Sequence, residues 1–355
     1  MTTGDVLLEA IGVVKHFPLN DKVFGSSSFM IRFASVDLPQ PDSPTTPRTS
    51  PGYSSTETPS TAWMTPLDPN TLSFSGKCFV TLSNVFMMLE KPTSGTVLYK
   101  GTDISTFTDE QTFAYRQDVQ MVFQDTLGSL NPRMTISDIL TEPYTLHRDI
   151  LPKKQWSDRV RELLALVGLD PNHANRYPHM FSGGQRQRIC IARALALDPK
   201  VLVCDEPVSA LDVSVQAQII NLLKDLRDRL GLSYIFVAHD LSVVRQIADR
   251  VAVMYLGEVV EVGDEADVLL RPSHPYTQAL VSALPTADAT GAVVGKRIVL
   301  SGDLPSPANP PEGCRFRTRC WMAQPKCEAE KPALIDRGTG RPAACHFVTP
   351  DTATG

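Results

Sequence analysis

The chain has 355 residues, enough for one large or two modest domains with a buried core, and a net charge of −5 that supplies no broad basic face and weighs against nucleic acid as a partner. Its apolar runs are no longer than strands and no charged-then-apolar leader opens it, so neither a membrane span nor export is predicted. Seven cysteines in so long a chain without such a leader read as reduced residues of a cytoplasmic protein, not as a disulfide framework.

The run Leu7 to Phe17 has the apolar content of a first strand, with an aromatic at its end. From about Ser26 to Leu82 the chain is crowded with Ser, Thr and Pro, as in Asp42-Ser43-Pro44-Thr45-Thr46-Pro47, and this composition predicts loop or disorder. From Met87 ordered protein is predicted again, with a turn at Glu90 to Gly95, a strand at Thr96 to Gly101 and a further strand ending at Gln124. Residues 127 to 180 read as helical, and Arg159 to Val167 spaces its apolar residues three and four apart, as a buried helix face does. Next comes Phe181-Ser182-Gly183-Gly184-Gln185-Arg186-Gln187-Arg188. A Ser-Gly-Gly turn opening into a basic helix offers free N–H groups and a helix dipole to an anion. Val201 to Pro207 reads as a buried strand that delivers Asp205 and Glu206 at its end, a pair suited to metal and water. Ser209-Ala210-Leu211-Asp212 leads into a helix over 213 to 230, and the strand Tyr234 to Ala238 ends in His239-Asp240. A hairpin is predicted over Val251 to Val262 around Leu256-Gly257, then a short helix after Asp264, then Ser273-His274-Pro275-Tyr276-Thr277-Gln278-Ala279-Leu280. Taken singly, Asp205-Glu206 is also an ordinary strand-end turn and His239 a helix cap.

In this order and spacing, over roughly residues 87 to 285, these stretches resemble the motifs of ABC-type ATPases: Q-loop at Gln124, signature at Ser182 to Gln185, Walker B at Val201 to Glu206, D-loop at Ser209 to Asp212 and switch histidine at His239. Asn131-Pro132-Arg133-Met134, the Ser273 to Leu280 element, Gly302-Asp303-Leu304-Pro305-Ser306-Pro307 and a cysteine-bearing tail resemble the ATP-binding subunits of dipeptide and oligopeptide importers in particular. The resemblance implies an α/β fold, an ABC-type P-loop ATPase with a mixed sheet core and flanking helices, plus a helical subdomain and a cysteine-containing C-terminal tail. The expected division is 1–23 first strands of the core, 24–86 an aberrant Ser/Thr/Pro-rich segment, 87–126 core, 127–183 helical subdomain with the signature, 184–270 core and 271–355 a peptide-importer-type extension. It also implies ATP and Mg2+ as cofactors. Glu206, His239 and Gln124 are the expected catalytic residues, Asp205 and Gln124 those around Mg2+, and Phe17, Ser182, Gly183, Gly184, Gln185 and Asp212 those that bind nucleotide. For Phe17, stacking on adenine and plain core packing stand level. The implied partners are membrane-spanning permease subunits, a second ATP-binding subunit in a homo- or heterodimer and, indirectly, a periplasmic or extracellular peptide-binding protein; nucleic acid is not among them. The implied place is the cytoplasmic face of the inner membrane, and the implied function is ATP-driven uptake of di- or oligopeptides. A subunit that supplies only its signature to a partner is the alternative, and a soluble ABC protein acting on nucleic acid or ribosomes a lower one.

One motif of the family is missing. No G-x-x-x-x-G-K-[ST] occurs in the chain, so the amides and the lysine that cradle phosphates are not spelled out and ATP hydrolysis is expected to be impaired. Val36 to Pro44 can be encoded GTC GAC TTG CCG CAG CCC GAT TCG CCG, and the complementary strand, read one base out of register, gives G-E-S-G-C-G-K-S. An inverted DNA segment over roughly codons 24 to 86 is therefore expected. In the tail, Cys314, Cys320, Cys327 and Cys345 are spaced x5, x6 and x17. Four thiolates converging on one point can hold zinc or an iron–sulfur cluster. The absence of close C-x2-C pairs and the resemblance to importer subunits, some of which carry [4Fe-4S], favour iron, while His346 beside Cys345 keeps a mixed zinc site open.

Overall fold

The computed structural model describes residues 6–14, 18–19, 22–23, 30–34, 71–75, 79–284, 297–306 and 309–348. Two sheets carry the fold. The smaller is antiparallel, with strand order β2-β1-β4-β5, built from β1 (Val6–Val14), β2 (Met30–Ala34), β4 (Ser94–Tyr99) and the short β5 (Thr102–Asp103). The larger has the order β10-β9-β3-β8-β7-β6, from β3 (Thr71–Ser75), β6 (Val119–Val122), β7 (Val201–Asp205), β8 (Ser233–Val237), β9 (Arg250–Tyr255) and β10 (Glu258–Asp264). Its neighbours pair in parallel except β9 with β10, which form the expected hairpin.

Every residue of β7 and β8 is buried, as a strand covered on both faces requires. The alternation along β7 assigns the faces. Val201 and Val203 pack with Leu8, Val97, Tyr115 and α1 (Phe79–Phe86), toward the small sheet. Leu202 and Cys204 pack with the helices of the other side. Those include α3 (Ile136–Leu146) and α4 (Trp156–Leu166), which follow α2 (Asp109–Asp118) in the chain, then α5 (Gly183–Ala194) and α6 (Val213–Leu230). The apolar residues of α4 that the three-and-four spacing picks out, Val160, Leu163 and Leu164, are the buried ones.

The stretch 24–86 departs from its expectation of loop or disorder. Three elements arise inside it: β2 pairs with β1, β3 sits between β8 and β9 in the middle of the large sheet, and α1 begins eight residues before Met87. A strand's stability comes from its backbone ladder and its neighbours more than from its own composition, and Leu72 and Phe74 alternate with Thr71, Ser73 and Ser75 as a strand pattern does. Leu82, Val85 and Phe86 of α1 complete the cluster against the small sheet. Residues 35–70 lie outside the described residues.

Candidate functional site

β7 ends at Asp205 with the carboxyl almost fully enclosed, 4 % exposed. Its Oδ1 is buried without a hydrogen-bond partner, and burial, followed by the charge of Glu206, pushes the carboxyl up from 3.8 to about 6. An orphaned carboxylate oxygen at a strand end is a ready ligand for a hard cation. Glu206 turns out of the strand in the left-handed region, φ 43, and its N–H donates to the Val237 carbonyl of β8 at 3.1 Å. This strained turn aims its carboxylate sideways. Glu206 Oε2 accepts from Gln124 Nε2 at 2.7 Å and lies 3.4 Å from His239 Nδ1.

Gln124 follows β6 and His239 follows β8, and the register Val122↔Cys204 and Val237↔Asp205 sets the three strand ends side by side. Residues far apart in the chain thus meet at one edge of one sheet. Ser209 joins them, 3.4 Å from Gln124 Nε2 and donating from Oγ to the Glu206 carbonyl at 3.1 Å. Sequence reading placed Ser209 only as the start of a loop motif. Its bridging role has no sequence signal, because both partners are brought to it by the sheet. A cavity of about 600 Å3 opens here, lined by Gln124, Gly183, Arg186, Glu206, Ser209 and His239 among others.

Ser182 caps α5. Its Oγ accepts from Gln185 N at 3.3 Å while Gln185 Oε1 accepts from Ser182 N at 3.0 Å, a reciprocal box that satisfies both of these amides. The Gln185 side chain is therefore spent on the cap. Gly184 is buried against α6: a Cβ there would collide with Val215. Asp212 caps α6 by accepting from Val215 N at 3.0 Å, the contact that holds its carboxyl below the usual range. Phe17 lies outside the described residues. So does Gly76-Lys77-Cys78, the connection in sequence between β3 and α1. In sequence this stretch matches only the G-K of G-x-x-x-x-G-K-[ST], with Thr71 where the first glycine would stand and Cys78 where Ser or Thr would.

In the tail, the Cys314 N–H donates to the Cys327 carbonyl at 2.7 Å. Burial pushes up the Cys314, Cys320 and Cys345 thiols, Cys314 to about 11, and the mutual proximity of the cysteines adds to it. The four cysteines are gathered, free of disulfides. Among the described residues, however, no three His, Cys, Asp or Glu side chains are arranged to hold a metal ion. The Cys314, Cys320 and Cys345 thiols, with little drive to ionise, pack beside Cys327 as small apolar groups. Among the described residues no helix is long and apolar enough to cross a membrane.

Strand-end carboxylates, the capped Ser-Gly-Gly helix and the two-sheet core together define an ABC-type ATPase cassette. The family model described as ABC transporter matches residues 75–209, and the one described as oligopeptide/dipeptide transporter, C-terminal region, matches residues 260–327. The chain is 51 % identical over 268 residues, 75 % of this chain and 81 % of the relative, to the oligopeptide transport ATP-binding protein AppF of Bacillus subtilis. It is 52 % identical over 254 residues, 72 % and 76 % respectively, to OppF of Salmonella typhimurium, and 50 % identical over 271 residues, 76 % and 80 %, to the dipeptide transport ATP-binding protein DppF of Escherichia coli. Among solved structures, cbiO1 of Clostridium perfringens aligns with TM-score 0.57 at 22 % identity, covering 75 % of this chain and 92 % of that one, a likeness of fold. The chain belongs to the ATP-binding subunits of oligopeptide and dipeptide ABC transporters.

Proposed function

We propose that this chain is the ATP-binding subunit of an ABC importer that energises uptake of di- or oligopeptides, and that its own nucleotide site is impaired. The observation that carries the reading is the convergence of Gln124 and His239 on Glu206 beside the unpartnered Asp205 oxygen. In this reading Glu206 takes the proton of the attacking water, with Gln124 and His239 holding its carboxylate in place, and Asp205 Oδ1 and Gln124 stand to Mg2+. Mg2+ bound there supplies charge neutralisation for the phosphates. These residues fit the metal and water end of an ATP site. The phosphate end is a poor fit, because no G-x-x-x-x-G-K-[ST] stands in the chain. The missing motif favours a second reading, in which the chain contributes Ser182, Gly183, Gly184 and the loop before Asp212 to nucleotide held by a partner ATP-binding subunit. Permease subunits at the cytoplasmic face of the membrane, and indirectly a peptide-binding protein, are the further partners.

Equilibrium titration of the purified full chain with labelled ATP tests the impairment. Loss of several charge-assisted hydrogen bonds, each about 1.5 to 3 kcal/mol, is expected to weaken binding by orders of magnitude relative to an intact loop. Micromolar affinity abolished by Lys77→Ala would overturn it.

The tail cysteines are proposed to hold a [4Fe-4S] cluster with a structural role. Support lies in four free thiols within electrostatic reach of one another on a segment with little apolar periodicity of its own. Ligation requires thiolates, so loading would draw in side chains that pack as neutral thiols without it. Anaerobic purification is expected to give a brown chain absorbing near roughly 400 nm, bleached by Cys320→Ser. A colourless chain with stoichiometric zinc or four titratable thiols sinks the proposal.

A further inference from the structure

The C-terminal extension meets the core at a buried polar junction. Glu261 of β10, with no exposed surface, accepts the N–H groups of Ser273 at 2.6 Å and His274 at 2.9 Å, at the start of α7 (Pro275–Ser282). On the same strand the tail pairs backbone to backbone. Ala344 N–H donates to the Val260 carbonyl at 2.8 Å, Val262 N–H donates to the Pro342 carbonyl at 3.0 Å, and Glu261 bridges Ala343. Arg341, 3 % exposed, donates from Nε to Ser273 Oγ at 3.2 Å.

His274 sits between these partners, 1 % exposed. Its Nδ1 accepts from Tyr276 N at 3.1 Å and so caps α7, which leaves the ring proton on Nε2. That ring also hydrogen-bonds the backbone of Ala344, the residue before Cys345. On its other side the ring packs against Phe316 at 5.7 Å between centroids, and Phe316 lies in sequence between Cys314 and Cys320. Tyr255 and Tyr276 close around the same phenyl ring, at 5.1 and 5.5 Å. One imidazole therefore touches both cysteine-bearing arms.

We propose that His274 is the positioning residue of the tail's thiol cluster: it clamps the Ala344 carbonyl, fixes Cys345 beside Cys327 and Cys320, and keeps the cluster closed. The inference goes beyond the iron–sulfur reading, because the clamp acts on the polypeptide whether the thiols carry iron or protons.

The imidazole's two nitrogens do different jobs, so two substitutions separate them. Asparagine places an oxygen where Nδ1 stands and keeps the helix cap, but reaches no further. Glutamine extends an N–H toward the Nε2 position and keeps the tail contact. The readouts are hydrogen exchange of the segment 340–348 and alkylation of Cys345 by iodoacetamide, followed by mass spectrometry on the full-length chain. His274→Asn is expected to speed both by about tenfold, the loss of one buried hydrogen bond, while Cys204 in β7 stays unlabelled. His274→Gln is expected to remain within about threefold of the parent. Loss of the cap alone would not separate the variants in this direction. His274→Asn behaving as the parent, or His274→Gln behaving as His274→Asn, overturns the proposal.

Discussion

Asp205 shows what burial at a strand end does to a single carboxyl. Its carboxyl is held up at about 6, above the ordinary 3.8, by burial first and by Glu206 second. The native state therefore binds this proton more tightly than the unfolded chain does. Stability from that proton is fully present below the ordinary value and is lost as pH climbs from about 4 through 6. Asp205→Asn keeps the shape without the charge. In Mg2+-free buffer at about pH 7.5 it is expected to unfold at higher temperature than the parent, by on the order of 2 kcal/mol, and to match the parent near about pH 3.5. Equal melting at the higher pH would show that the carboxylate is solvated after all. The four residues of this site are legible in the sequence because each follows an apolar strand run: Gln124 after Val122 and Phe123, Asp205 and Glu206 after Val203 and Cys204, His239 after Val237 and Ala238. The left-handed backbone of Glu206 and the bridging hydroxyl of Ser209 are not, because the first depends on Val237 of β8 and the second on Gln124 after β6.

At the scale of elements, the meeting of α5 with α6 rests on one missing methyl group. Gly184 faces Val215 so closely that any Cβ displaces one helix from the other. Gly184→Ala improves helix propensity, yet overpacking of this kind costs about 1 to 3 kcal/mol, and denaturant unfolding is expected to show a net loss. Val215→Ala in the same chain is expected to return much of it. A Gly184→Ala chain as stable as the parent would mean that α5 slides freely over α6. The start and length of both helices are readable in advance, from Ser182 and Asp212 as caps and from the apolar spacing behind them. Of the elements that sequence reading misses, β2 lies near the start of the stretch rich in Ser, Thr and Pro, and β3 and α1 lie at its end. A composition averaged over that length buries the short alternation at Leu72 and Phe74 and the Leu82, Val85, Phe86 face.

For the molecule as a whole, the sheet supplies a central strand followed by a helix, while the chain supplies only Gly76-Lys77-Cys78 between them. The DNA over codons 24 to 86, reverse-complemented in place, is expected to restore an open frame encoding G-E-S-G-C-G-K-S-T. Sequencing the locus decides it, and codons that leave no such loop on the other strand end the idea. The overall class was open to sequence reading because the signature, the carboxylate strand and the switch histidine survive downstream of that segment, in regions where strand and helix periods are clear.

The pairing of residues 342–344 with β10 has a further consequence. β10 is the outermost strand on its side of the large sheet, and the tail satisfies its Val260 carbonyl and Val262 amide. An uncovered sheet edge is a template for any other extended chain. A chain ending at residue 330 is expected to aggregate, as seen by light scattering, at concentrations where the full chain stays dispersed. Equal dispersion of the two would show that the tail is not the edge's guard. On this view the extension keeps the cassette soluble before it serves transport at all.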